Sequence, residues 1–291
     1  MKRLLTATLT SAFLLVGSES AFALTTVLYN GAAGAPPNNR PNNQGWQYVD
    51  RNPFAFPPTG ASTETPEPNG VVFSSISDNN ILSGYGWTAT PLNSTVGYNL
   101  RFDIQLLQES RNPLGSSNPA DINADGKDDR AGLNILIVSS NTARAIELGF
   151  FVDQIWAQAT GAAKPPRFTQ AESTAFDTRT NVNRYDLSIL GATYFLYANE
   201  NYGTPILTGA LRDYTPESTA PFPNPYRTAN TIFIGDNTTA ASAEFRLNQV
   251  TFTDSAITPI PFAFNPLFGF GVFGLSRLRK AIVKKTKHPN D

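Results

Sequence analysis

The sequence predicts an all-β chain, an antiparallel β-sandwich or jelly roll, and three observations carry that expectation. Short apolar or alternating segments recur along the chain. Turn-forming residues separate them, with 21 Gly and 22 Pro in 291 residues. No long stretch shows the 3.6-residue periodicity of an amphipathic helix. With 41% hydrophobic residues the chain can bury a sizeable core, and with no cysteine it must do so without disulfides.

Residues Met1–Ala23 form the pattern of a signal peptide. Lys2 and Arg3 are basic, Leu4 to Val16 is mostly apolar, and Ala21-Phe22-Ala23 fits a small-x-small cleavage site. The apolar run is shorter than the roughly 20 residues that span a bilayer. Three parts are therefore expected: a signal peptide over 1–23, a sandwich over 24–255 and a tail over 256–291.

Residues 31–70 are rich in Pro, Asn, Gly and Thr and read as loops, with a short strand at Gln44–Val49. Strands dominate from residue 71 onward. Tyr98–Leu106 is the clearest, apolar at even positions and polar at odd ones, as in a half-buried strand. Leu133–Val138 is nearly all apolar and suits a central strand covered on both faces. Strands are also expected at Ile146–Val152, Tyr185–Ile189, Thr193–Tyr197, Ile206–Leu211, Thr231–Ile234 and Ala243–Thr253, with a tight turn at Gly191-Ala192.

One motif is sharp. Asp121-Ile122-Asn123-Ala124-Asp125-Gly126-Lys127-Asp128-Asp129 fits D-x-[DN]-x-D-G-x-x-D. Calcium takes about six to eight oxygen ligands, and alternate positions of a tight loop can converge on one ion. Asp121, Asn123 and Asp125 would offer side-chain oxygens, Lys127 its carbonyl, and Asp129 would close the site. Loop position twelve is Gly132 where an EF-hand needs Glu, so the segment resembles the shorter loops of dockerin-like and thrombospondin-type repeats. The expected role of Ca2+ is structural, bracing the loop before Leu133. An acidic hairpin turn is the plainer alternative.

No catalytic constellation is legible. The single histidine, His288, lies in the tail, which removes Ser-His-Asp, Cys-His and imidazole-zinc chemistry from the body. No phosphate-binding glycine loop occurs. Glu147 and Asp153 are the nearest approach to a glycosidase acid pair. On one strand they would lie about 20 Å apart, against the roughly 5–9.5 Å such pairs need, unless the chain reverses at Gly149. Trp46, Trp87 and Trp156 are candidates for a sugar-stacking platform or for core. Arg212, Asp213, Tyr214, Tyr226 and Arg227 suit a polar groove or a salt-bridged turn. Without the two ends the body carries 14 basic and 21 acidic residues, a poor match to nucleic acid.

The tail has its own order. Pro259-Ile260-Pro261-Phe262-Ala263 leads into the apolar Leu267–Leu275, and Arg277, Arg279, Lys280, Lys284, Lys285 and Lys287 follow. Basic residues after an apolar segment keep that end cytoplasmic and leave the body outside. This arrangement resembles the PEP-CTERM class of sorting signals, and most closely the cyanobacterial Pro-Phe-Glu variant, with Ala263 standing where that variant has Glu. The resemblance implies exosortase processing and attachment at the cell envelope.

The body also resembles concanavalin A-like, laminin-G-like jelly rolls. The residues that carry this are Tyr185–Ile189, Tyr194–Tyr197, Ile206–Tyr214, Pro225–Thr228 and Ile232–Asp236. The resemblance implies a non-enzymatic surface or matrix protein that binds extracellular polysaccharide or another surface glycan. A glycan-cleaving enzyme on the same fold and a purely structural envelope protein are the alternatives.

Overall fold

The computed structural model describes residues 23–51, 60–114, 121, 125–160, 170–217 and 225–258. The signal-peptide expectation falls outside these residues except for Ala23. The tail from Pro259 onward and Asn123 of the acidic loop also lie outside them. Among the described residues no helix is long and apolar enough to cross a membrane.

The described chain is an all-β sandwich of two antiparallel sheets, connected by turns and three short 3-10 segments at Pro41–Gln44, Thr215–Glu217 and Pro225–Arg227. The strands in chain order are β1 (Thr25–Asn30), β2 (Gln47–Arg51), β3 (Thr63–Glu67), β4 (Gly70–Ser74) and β5 (Leu82–Trp87). Then come β6 (Tyr98–Arg111), β7 (Leu133–Val138), β8 (Ala145–Phe150), β9 (Gln154–Gln158) and β10 (Gln170–Ala175). The last five are β11 (Asn183–Leu190), β12 (Thr193–Ala198), β13 (Leu207–Ala210), β14 (Thr231–Asp236) and β15 (Ala241–Thr253). The first sheet runs β13-β12-β11-β6-β15-β4-β3, with β1 also on β15; the second runs β10-β9-β8-β7-β14-β5-β2.

Alternation builds the core. Leu100, Phe102, Ile104 and Leu106 of β6, Leu187 and Ile189 of β11, and Phe245 and Leu247 of β15 point inward from the first sheet. They meet Ile135 and Ile137 of β7, Ile146, Leu148 and Phe150 of β8, and Ile232 and Ile234 of β14. Close approach of β5 and β14 depends on paired glycines. Gly84 and Gly235 face each other with φ of 155° and 153°, and a Cβ on Gly84 would sit 2.4 Å from the Ile234 carbonyl oxygen.

The structure shifts several expected boundaries. The strand expected at Gln44–Val49 starts at Gln47, because Pro41–Gln44 winds into a 3-10 turn that ends on Gly45. The loop-like 31–70 region contains β3, an edge strand that tolerates Pro66 because it pairs only with β4. The strand expected at Ile146–Val152 ends at Phe150, and the chain reverses through residues 151–153 instead of at Gly149. Gly149 stays in the strand as the seat of Trp156, whose ring would lie 2.5 Å from a Cβ there.

Candidate functional site

The acidic loop is tied down by its own backbone. Asp121 accepts hydrogen bonds at Oδ1 from the Asp125 N–H (3.0 Å) and at Oδ2 from the Gly126 N–H (2.9 Å). Asp125 accepts at Oδ1 from the Lys127 N–H (2.9 Å), and its Oδ2 pairs with the Arg111 guanidinium at 3.0 Å. The Leu114 N–H donates to the Gly126 carbonyl and the Asp128 N–H to the Asn112 carbonyl, which clips the loop to the end of β6. Asp128 and Asp129 are buried, and burial raises the Asp128 carboxyl above its ordinary range. Among the described residues no three acid, His or Cys side chains converge as a metal site. Of the expected ligands, then, Asp121 and Asp125 share one turn and Asp129 is buried beside it, while Asn123 is outside the described residues.

Next to this loop lies a buried polar cluster on the outer face of the second sheet. Glu147 of β8 is 3% exposed. It accepts from the Tyr226 hydroxyl (2.7 Å) and the Asn237 amide (3.3 Å), and the same amide donates to the Tyr226 oxygen (2.8 Å). Arg130 donates to the Asn237 carbonyl (3.0 Å). Burial raises the Glu147 and Asp236 carboxyls and lowers the Arg130 guanidinium, as expected where charge is taken from water. Tyr226 and Tyr214 come from the excursion between β13 and β14. Their rings stand 5.8 Å apart and pack on Leu136, Val138 and Phe233. That packing explains why β7 is buried on both faces.

A third cluster occupies the outer face of the first sheet, on β6, β11 and β12. Asp186 is fully buried there and accepts from the Asn99 amide (2.8 Å), the Arg101 Nε–H (2.9 Å) and the Tyr202 hydroxyl (3.0 Å). Arg101 also donates to the Tyr202 oxygen (2.8 Å). Burial alone would lower the Arg101 pKa, but the Asp186 carboxylate outweighs it and the net shift is upward. Burial and Asp186 together raise the Tyr202 phenol. Register places Ser188 opposite Asn99, and Tyr197 opposite Asp186. The Asn99 Oδ1, the Ser188 hydroxyl and the Tyr197 hydroxyl are buried here and make no hydrogen bond. The surrounding side chains are partly exposed: Arg101 at 28%, and Arg184 at 36%, which pairs with Asp103 (2.9 Å) and Glu200 (2.6 Å).

The other candidates resolve individually. Trp46 and Trp156 are buried; Trp46 donates to the Leu28 carbonyl (2.9 Å) and stacks 5.6 Å from the half-buried Trp87, so the three do not form a surface platform. Arg212 forms an ion pair with Glu172, and its backbone bridges Ala145, which is the salt-bridged alternative to a groove. Tyr214 donates to the Gln158 carbonyl (2.6 Å). Asp153 lies in the turn beyond Phe150, near Glu109, whereas Glu147 accepts hydrogen bonds from Tyr226 and Asn237. Arg130, Asn99, Arg101, Asp186 and Tyr202 are not candidate site residues in the sequence reading. The only local signal for Asn99, Arg101 and Asp186 is the polar half of an alternating strand, and Tyr202 lies in the turn after β12.

No family model matches the chain, and no curated protein matches it. Solved structures similar to it include a carbohydrate esterase from Shiga toxin-encoding bacteriophage phi24B, at 11% identity and a TM-score of 0.49, covering 80% of this chain and 100% of that one. The exoplasmic/lumenal domain of VIP36 in its Ca2+/Man2-bound form has 8% identity and a TM-score of 0.41, covering 82% and 90%. A protein from Bacillus subtilis with a galectin-like fold has 10% identity and a TM-score of 0.42, covering 81% and 100%. These are neighbours in architecture, at identities too low to transfer a ligand or an activity.

Proposed function

We propose that the chain is an exported, envelope-anchored and non-enzymatic surface or matrix protein that binds glycan on the outer face of its first sheet. The observation that carries this reading is the cluster around Asp186. A buried carboxylate holds three donors in fixed positions, and the Asn99 oxygen and the Ser188 and Tyr197 hydroxyls beside it make no hydrogen bond. Over these buried groups the partly exposed Arg101 guanidinium and Tyr202 hydroxyl are the donors that a ligand rich in hydroxyls would meet. Tyr202 adds an amphipathic ring at the partly exposed edge, as sugar recognition uses.

The tail supports attachment at the envelope, with exosortase-type processing at Pro261-Phe262-Ala263. Calcium belongs to the same proposal as a brace of the 121–129 loop. Its support is the ligand spacing and the crowding of Asp121, Asp125, Asp128 and Asp129; binding requires Asp125 to exchange Arg111 for the ion.

The test is a glycan array probed with residues 24–258, with and without calcium. Retention of an acidic or neutral polysaccharide that Tyr202→Phe and Asp186→Asn abolish, and that Glu147→Gln leaves intact, is the expected result. Retention unaffected by all three variants removes the site from the first sheet. Release of shortened products identifies an enzyme, and an empty array identifies a structural protein. In a parallel titration, calorimetric calcium binding should weaken in Asp125→Ala; identical isotherms for the two proteins would end the calcium assignment.

A further inference from the structure

Four strand ends of the first sheet lie side by side at one end of the sandwich. Register places Thr25 of β1 opposite Thr253 of β15, Thr253 opposite Asn99 of β6, and Asn99 opposite Ser188 of β11. Backbone hydrogen bonds carry the adjacency past the strand ends. Leu24 N–H donates to Asp254 Oδ1 (2.8 Å), Asp254 N–H to the Leu24 carbonyl (3.2 Å), and Gly191 N–H to the Ser94 carbonyl (2.6 Å).

This end is aliphatic. Leu24 is 66% exposed, Val96 68% and Leu190 38%. They are three of the five large hydrophobic side chains exposed among the described residues, so exposed apolar surface concentrates here. A Cβ on Gly97 would lie 3.0 Å from both Leu190 Cδ1 and the Ala256 methyl, so aliphatic groups of β11 and of the segment after β15 meet over Gly97. At about 4.8 Å per strand the row is roughly 15 Å wide. Single exposed hydrophobics need no account, but a row of them does.

The position of the chain's exit indicates what the row faces. The described chain leaves the sandwich at Thr258, two residues past Ala256. Eight residues separate Thr258 from Leu267, and a fully extended chain covers at most about 3.6 Å per residue step. The apolar Leu267–Leu275 segment therefore starts within about 32 Å of Thr258. Charge agrees. The body is acidic and would be repelled by an anionic lipid surface, but the row is flanked by one acid, Asp254, and one base, Arg144. Arg144 donates to the Gly191 carbonyl (3.2 Å) and the Ser94 hydroxyl (3.3 Å). The opposite end of the same strands is more densely charged, with Asp103, Asp177 and Glu200 beside Arg179 and Arg184.

We propose that the Leu24–Val96–Leu190 row is the surface on which the sandwich rests against the lipid bilayer, with the strands of the first sheet end-on to it. This rests on the tail being a membrane anchor, in the full-length form that precedes any exosortase-type processing. The occupant is the boundary between headgroups and acyl chains, into which exposed aliphatic side chains partition at shallow depth.

The absence of cysteine makes the orientation measurable. Val96→Cys, and Asn201→Cys in the exposed loop after β12 at the far end, each carry one environment-sensitive fluorophore on residues 24–291. The protein is added to phosphatidylcholine/phosphatidylglycerol vesicles containing a doxyl-labelled lipid. The expected result is flotation with the vesicles and quenching several-fold stronger at position 96 than at 201. Flotation with equal quenching at the two positions overturns the resting surface and leaves the anchor standing. Failure to float overturns the anchor, and the resting surface with it. A position-96 label shielded from aqueous iodide without vesicles, and untouched by the doxyl lipid, shows that the tail or a second copy covers the row and overturns the proposal.

Discussion

The two sheets treat their outer faces in opposite ways, although each buries a carboxylate there. On the second sheet Glu147 lies beneath Tyr226 and Tyr214 and takes its hydrogen bonds from a phenol and an amide. On the first sheet Asp186 takes a guanidinium, an amide and a phenol, with partly exposed Arg101 and Arg184 around it. The first arrangement is a closed packing layer in which charge is disfavoured and burial pushes the acid's pKa up. The second pairs a fully buried carboxylate with guanidinium groups that stay partly exposed to water. Burial of an acid therefore marks no function by itself; the difference lies in which groups cover it and which polar atoms beside it stay unpaired.

Three measurements would break or sharpen this contrast. The largest effect is expected from Tyr226→Ala, which removes a ring packed on Tyr214 and the hydroxyl that Glu147 accepts from. Aromatic-to-alanine truncation in such a layer costs about 3–5 kcal/mol in denaturant unfolding. A loss near zero would mean that the second sheet's outer face is as open as the first.

The next effect is a slope with pH. The Glu147, Asp236 and Asp128 carboxyls are raised in the folded state, so the folded chain binds more protons than the unfolded chain above the ordinary carboxyl values of 4.5 for Glu and 3.8 for Asp. Stability is then greatest at or below those values and falls as pH rises through the raised folded values. Thermal melts in steps from pH 4 to about 8 should show that fall, and Glu147→Gln should flatten it. An unchanged slope would assign the dependence to the other raised carboxyls, Asp236, Asp128 and Glu109.

The smallest effect belongs to the open face. Arg184→Ala removes pairs with Asp103 and Glu200, but at 36% side-chain exposure solvent screens most of their strength. A loss of about 0.5–1 kcal/mol, shrinking further in high salt, is expected from denaturation curves. A loss as large as that of Tyr226→Ala would show that the first sheet's charges hold the fold together and are not free to meet a ligand.

Legibility in the sequence followed physical locality. Tyr98–Leu106 and the hairpin through Gly191-Ala192 were readable because alternation and a two-residue turn are local properties. The twice-buried character of Leu133–Val138 was readable for the same reason. The end of β8 was not, since whether Gly149 turns or stays extended depends on Trp156, which comes back beside it only after the reversal. β3 was hidden behind Pro66, which an edge strand accepts and a central one does not.

The candidate site divides in the same way. Asp121, Asp125 and Gly126 could be read together because they share one turn, and the structure ties that turn with short-range hydrogen bonds. Asp186 and Asn99 could not, because they lie 87 positions apart in the chain and β-pairing makes them neighbours, while Tyr202 reaches Asp186 from the turn after β12. By itself, then, the sequence determined the sandwich class, the acidic loop and the tail that follows the body. Tertiary structure alone decided which carboxylate is sealed, which lies beside unpaired polar groups, and that Leu24, Val96 and Leu190 emerge together beside the chain's exit. Periodicity and turn chemistry act over a few residues, whereas strand pairing and layer coverage are set by contacts that no local pattern encodes.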